Sequence, residues 1–254
     1  MNCQDQIYSE EYIDFIGNRS LIESKYTLDC KQPLGARFAS LYLKLSDGYE
    51  DGTVYGYYNI PKLFGLQDTG SMESSGILQV RENPYLKLDG SGVLIGFVDT
   101  GIDYAGSIFL KQDGTTRVTA IWDQTIPAGS PIRLPAQPEL PETPENITRT
   151  PEGFLYGSEF THEQLNAAVK MADAYEGISS RDENGHGTFL ASIAAGNELP
   201  DGSFTGAAPK ADIAMVKLKP AKNRLRAYYQ IKEDAVAYQE NDIMAGVLYL
   251  VSLA

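Results

Sequence analysis

Two side chains in this sequence stand where a proton could be moved. Asp99 closes the apolar run of "GVLIGFVDTGID", where a strand pattern gives way to a "TG" turn. His186 lies between two glycines in "SRDENGHGTFLAS". Histidine exchanges a proton near neutral pH, and a carboxylate on its ring fixes the tautomer and stabilises the imidazolium. Flanking glycines let backbone and ligand approach the ring closely. Taken singly, neither residue is diagnostic. An aspartate after a strand often caps the next turn, and a lone histidine is more often structural. The second histidine, His162 in "FTHEQL", falls on an amphipathic pattern and reads as a solvated helix residue.

The elements around these residues imply how they could meet. Val93 to Val98 is a short apolar run bounded by glycines, the pattern of a strand buried on both faces of a parallel sheet. "RVTAIWDQT" and "ADIAMVKLK" supply further strands. "TFLASIAAG" reads as a buried helix ended by Gly196, and the stretch from Tyr228 to Ala254 is helical in its spacing. "SEFTHEQLNAAVKMADAY" reads as another helix, with Ser158 or Thr161 as its cap and Glu163 and Gln164 in its first turn. Strands alternating with helices predict an α/β fold with a parallel sheet, in which functional groups collect at the carboxyl ends of the strands.

Residues 1–72 differ in character. "ARFASLYLKLSD" alternates like a half-buried strand, and "GTVYGYYNIPKLFGL" suits another strand ending near Pro61. This predicts a small α+β unit with an antiparallel sheet, too short to be robust without packing on residues 73–254. Within the larger part, residues 127–153 carry seven prolines and read as a surface loop or arm inserted into the fold.

Composition narrows the partners. Hydrophobic residues make up 43% of the 254, enough for a real core, and the net charge is −13, which disfavours phosphate backbones and so nucleic acid. No long apolar run suggests a membrane span, and the acidic N-terminus does not resemble a secretory signal. Cys3 and Cys30 are read as two free thiols in a reducing compartment. No cofactor or metal is expected: the glycines of "GSGVLIG" enter a strand rather than leave one, and two distant histidines build no metal site.

In combination the motifs are more specific. "GVLIGFVDTGID", then "DENGHGTFLASIAAG", then "GAAPKADIAMVKL" resemble the subtilisin-like serine proteases, over roughly residues 73 to 254. The resemblance implies that Asp99 and His186 are two members of an Asp, His, Ser triad arranged in that chain order. Phe189 departs from the family, which more often has a second histidine there. "YGSEFTHEQLNAAV" and "DGTTRVTAIWDQT" add a narrower resemblance to the Csp-type subtilases of spore-forming bacteria. That group implies a cytoplasmic or spore-associated setting and a protein substrate such as a cell-wall lytic zymogen; some members are signalling pseudoproteases. The resemblance also makes residues 1–72 a prodomain whose tail enters the active site, with a cut between about Thr69 and Ser75.

The triad serine has no match. Ser192, Ser203 and Ser252 follow His186, and none opens a helix behind a glycine-rich turn; Asn197, Asn223 and Asn241 do not fit the family's oxyanion asparagine. "TGSMESSG" precedes the Asp motif and so stands in the wrong order. The sequence therefore predicts the Asp and His part of a subtilase that ends before its nucleophile and is inactive as this chain. The competing expectation is a non-enzymatic pseudoprotease or binding protein on the same scaffold.

Overall fold

A computed structural model describes residues 2–20, 22, 30–44, 57–64, 88–135, 147–201 and 204–254. The first element, α1 (Cys3–Tyr8), starts at a capping box: Asn2 Oδ1 accepts from the amide of Asp5, and Asp5 Oδ2 from that of Asn2. Three strands follow, β1 (Tyr12–Asn18), β2 (Lys31–Leu34) and β3 (Phe38–Lys44), in an antiparallel sheet of order β1-β3-β2. The expected alternation along β3 is present, but both faces are covered. Ala39, Leu41 and Leu43 pack with Phe15, Ile60 and Leu225, while Tyr42 packs into a second cluster with Ile7 and Tyr249. A central strand sandwiched this way is buried from Ala39 to Leu43 rather than half-exposed.

The expected strand before Pro61 is not found in the described residues. Tyr57–Asn59 form a 3-10 turn, and a two-residue strand, β4 (Leu63–Phe64), lies beyond the proline. Residues 51–56 fall outside the described residues, as do the "TGSMESSG" stretch and the expected cut between Thr69 and Ser75.

Cys3 and Cys30 are joined in a disulfide, with 5.1 Å between their Cα atoms. The expectation of two free thiols is therefore wrong. Sequence separation misled it: the chain turns back so that the start of α1 meets the residue entering β2, a proximity set by tertiary packing alone.

The larger sheet holds β5 (Leu94–Asp99), β6 (Val118–Asp123), β7 (Ser158–Thr161) and β8 (Asp212–Lys217) in the order β5-β8-β6-β7. The β5, β8 and β6 strands run parallel, and β7 is antiparallel to β6. Around it lie α2 (His162–Val169), α3 (Ala174–Gly177), α4 (His186–Ala195), α5 (Asn223–Tyr228) and α6 (Glu240–Leu253), with the short β9 (Tyr238–Gln239) entering α6. Of the apolar strands, central β8 is buried from Ile213 to Lys217. Burying each such large aliphatic side chain stabilises by about 1.5–3 kcal/mol. In contrast to the expectation, β5 is only partly buried until Asp99, because it is an outer strand of the described sheet.

Three helix expectations change in detail. Thr161, not Ser158, caps α2, in a capping box with Gln164; Ser158 belongs to β7. Helix α4 does end at Gly196, but only Gly187, Ala191 and Ala195 are fully buried in it, and Phe189 is half-exposed. The helical stretch expected from Tyr228 contracts to α6. Before it, Gln230 takes a left-handed φ of 55° and β9 pairs antiparallel with β4. The proline-rich segment is pinned at both ends by the bridges Pro131↔Ile147 and Arg149↔Glu159.

Candidate active site

Asp99 and His186 lie 87 residues apart in sequence and meet directly. The carboxylate is the last residue of β5, the ring belongs to the first residue of α4, and His186 Nδ1 is 2.8 Å from Asp99 Oδ1. A carboxylate only accepts, so this contact favours the tautomer with its proton on Nδ1. Asp99 Oδ1 also accepts from the amide of Thr100 at 2.7 Å, so the carboxylate is held from its own turn as well.

Glycines set the closeness of β5 and α4. Gly185 has a φ of 89°, which lets the chain turn sharply into the helix without a side chain in the way. A Cβ on Gly187 would overlap the carbonyl oxygen of Gly101 and crowd Asp99. The Asp turn and the His helix can therefore approach only if residue 187 is glycine.

Asp182 fastens the approach, and sequence reasoning missed it. Its Oδ1 accepts from Thr100 Oγ1 at 2.7 Å and from the amide of Gly185 at 2.8 Å; its Oδ2 accepts from the amide and hydroxyl of Thr188. Thr100 Oγ1 in turn accepts from the amide of Gly187, and Thr188 Oγ1 from the amide of Asp103. One carboxylate thus ties the residue after Asp99 to residues on both sides of His186. Burial alone would raise the Asp182 pKa, but the bonds from Thr188, Thr100 and Gly185 outweigh it and hold the carboxyl below its ordinary value. The available signal was its place in the loop just before the helix that His186 begins.

Lys217 was also missed. It ends β8 opposite Asp99, and its Nζ donates to the carbonyl of Arg181 and to Glu183 Oε2, both at 2.6 Å. It braces the loop on which Asp182 sits. Tyr238 in β9 lies in the same electrostatic surroundings. Its phenol is pushed up to about 12 by burial first, then by the charges of Asp99, Asp182 and Glu183.

His162 is placed elsewhere, as expected, but it is not simply a solvated helix residue. Its Nδ1 is 3.1 Å from the carbonyl of Val118 and its Nε2 2.9 Å from Asn166 Nδ2, a pairing that pins α2 to β6. The serines after His186 are not brought to its ring by any bond in the described residues. Ser192 Oγ donates to the carbonyl of Thr188 and Ser252 Oγ to that of Tyr249; Ser203 lies outside the described residues.

The pair is thus a strand-end carboxylate oriented on a helix-start imidazole, at the carboxyl end of a parallel strand. The family model for the subtilase family, Peptidase S8, matches residues 90–245, more than half of the chain. The chain belongs to the subtilase family. It is similar to the subtilisin-like protease SBT3.8 of Arabidopsis thaliana, 30% identical over 144 residues, which cover 50% of this chain and 16% of that protein. The subtilisin-like protease SBT2.2 of the same plant is 31% identical over 146 residues, 54% of this chain and 16% of that protein. The chain thus spans about a sixth of the length of these curated relatives. Among solved structures, the Clostridium perfringens CspB protease is 28% identical with a TM-score of 0.49, covering 71% of this chain and 30% of that one.

Proposed function

We propose that these residues supply the acid and base of a subtilisin-type serine endopeptidase. The observation that carries the reading is the 2.8 Å bond between His186 Nδ1 and Asp99 Oδ1. Serine is a weak nucleophile that needs a base within hydrogen-bond reach. In this reading His186 Nε2 takes the serine proton as the hydroxyl attacks the scissile carbonyl. The imidazolium, stabilised by Asp99, then gives that proton to the leaving amine. Water repeats the sequence in reverse to release the acyl group.

The serine and the oxyanion donor have no match among residues 1–254, and the reading has the chain inactive by itself. Residues 1–72 are read as a prodomain. Their separate sheet and the pairing of β4 with β9, near the field of Asp99, support this. The proposed substrate is a protein, such as a cell-wall lytic zymogen, in a cytoplasmic or spore-associated setting.

An active-serine fluorophosphonate probe tests the assignment. The 254-residue chain is expected to remain unlabelled, and any longer product of the same gene to be labelled in a manner that depends on His186. Labelling of the 254-residue chain overturns the inactivity. Longer products that never label favour the pseudoprotease reading.

A further inference from the structure

Asp14 lies in the middle of β1 and is fully buried, far in sequence from every group it touches. Its Oδ1 forms an ion pair with Lys222 Nζ. Its Oδ2 accepts from Gln239 Nε2 at 2.9 Å and from Asn241 Nδ2 at 3.1 Å. The three donors are themselves more than nine-tenths buried and are held in place. The amide of Lys222 donates to Gln239 Oε1, Gln239 Nε2 also reaches Asn241 Oδ1, and Lys222 Nζ reaches the carbonyl of Tyr12. An ammonium and two carboxamides converging on one point are a complementary cage for a carboxylate.

Gln239 does two things at once. Its side chain holds Asp14, while its backbone belongs to β9 and pairs with Leu63 of β4. Next to it, the amide of Glu240 donates to the carbonyl of Lys62 at 2.7 Å, and Glu240 Oε2 accepts from the amide of Lys62 at 2.9 Å. Tyr238, the other residue of β9, lies in the field of Asp99.

We propose that Lys222, Gln239 and Asn241 form a carboxylate-binding site, filled in cis by Asp14, and that its filling seats β4 on β9. A side chain in the N-terminal sheet thereby controls how firmly that sheet's own continuation covers β9. The inference rests on the proposed function only for the meaning of what lies beside β9.

Amide hydrogen exchange on the whole chain tests it, read at Lys62 and Glu240 with β6 and β8 as the internal reference. Asp14→Ala is expected to speed exchange at both amides about tenfold or more, the factor that a hydrogen bond to a charged group contributes. Added sodium formate, small enough for the vacated space, is expected to slow it again, and Lys222→Met in the same background to abolish that response. Asp14→Asn, which keeps the shape and removes the charge, is expected to speed exchange by a smaller factor. Unchanged exchange in Asp14→Asn, or an Asp14→Ala chain that ignores formate, overturns the proposal. If Asp14→Ala does not fold, recovery of its circular dichroism by formate during refolding becomes the readout, and failure to recover overturns it equally. None of these measurements uses peptide hydrolysis, so they stand or fall apart from the endopeptidase reading.

Discussion

Two kinds of acid–base pair occupy this molecule. Asp99 and His186 sit at a sheet edge, with side chains 10% and 16% exposed. Asp14 with Lys222, and Asp242 with Lys219, lie in the packed region between the N-terminal sheet and the start of α6, each with 5% exposure or less. The closed pairs surround their charges with fixed donors; Asp242 Oδ1, for example, also accepts from Tyr156 at 2.9 Å. At the edge, by contrast, most of the bonding falls on the supporting residues. Asp182 alone gathers Thr100, Gly185 and Thr188 while touching neither reacting side chain. The edge pair thus lies nearer to solvent and draws its rigidity from neighbours, whereas the closed pairs are held by donors that bond them directly.

The largest expected effect breaks the edge pair. In a product of this gene that hydrolyses peptides, Asp99→Asn should lower kcat about 10⁴-fold, the size seen when another serine protease's triad aspartate is made neutral. Steady-state hydrolysis measures it, and a loss below about tenfold would remove Asp99 from its orienting role. Next comes a closed pair. Lys219→Ala strands the buried Asp242 and should cost about 3–5 kcal/mol in urea unfolding, whereas Lys219→Met with Asp242→Leu should restore most of it.

The same pair has a pH signature. Burial alone would lower the Lys219 pKa, but the carboxylates of Asp242 and Asp14 outweigh burial and raise it. Its stabilising contribution is therefore full below the ordinary value of 10.5 and lost as pH rises through the higher folded value. Unfolding midpoints measured from pH 8 upward should fall more steeply in the natural chain than in the Met/Leu variant.

Asp182 should give a smaller effect of opposite sign in pH. Asp182→Asn is expected to cost about 2 kcal/mol, since it weakens bonds to a charged acceptor. Because its carboxyl is held below 3.8, the natural residue contributes above that value and loses its contribution as pH falls past it. Ring nitrogen shifts of His186 in NMR should move with this substitution but not with the smallest one. Thr161→Ala removes the α2 cap and should cost about 1 kcal/mol while leaving the edge pair unaltered.

The sequence made the edge pair legible for a physical reason. Asp99 and His186 are fixed by local patterns, a strand end and a helix start, and each pattern carries its own glycines. The parallel strands β5 and β8 and the Thr161 cap were legible on the same grounds. Asp182 and Lys217 escaped notice because their importance lies in what they touch across the fold. The Cys3–Cys30 bond and the Asp14 cage were invisible for the same reason, since each joins segments whose proximity only packing decides. Burial on both faces of β3, and partial exposure of β5, likewise depend on which neighbours the sheets acquire.

The disulfide makes the N-terminal region a closed loop. Cys3 and Cys30 bracket the whole of β1, including Asp14. A single peptide-bond cut anywhere between them opens that loop but leaves the two pieces joined through the disulfide. Such a nick would change the chain's mass by one water and release no fragment until a reductant opened the bridge. The strand that carries the buried carboxylate is thus tethered twice, once by its charge and once by sulfur.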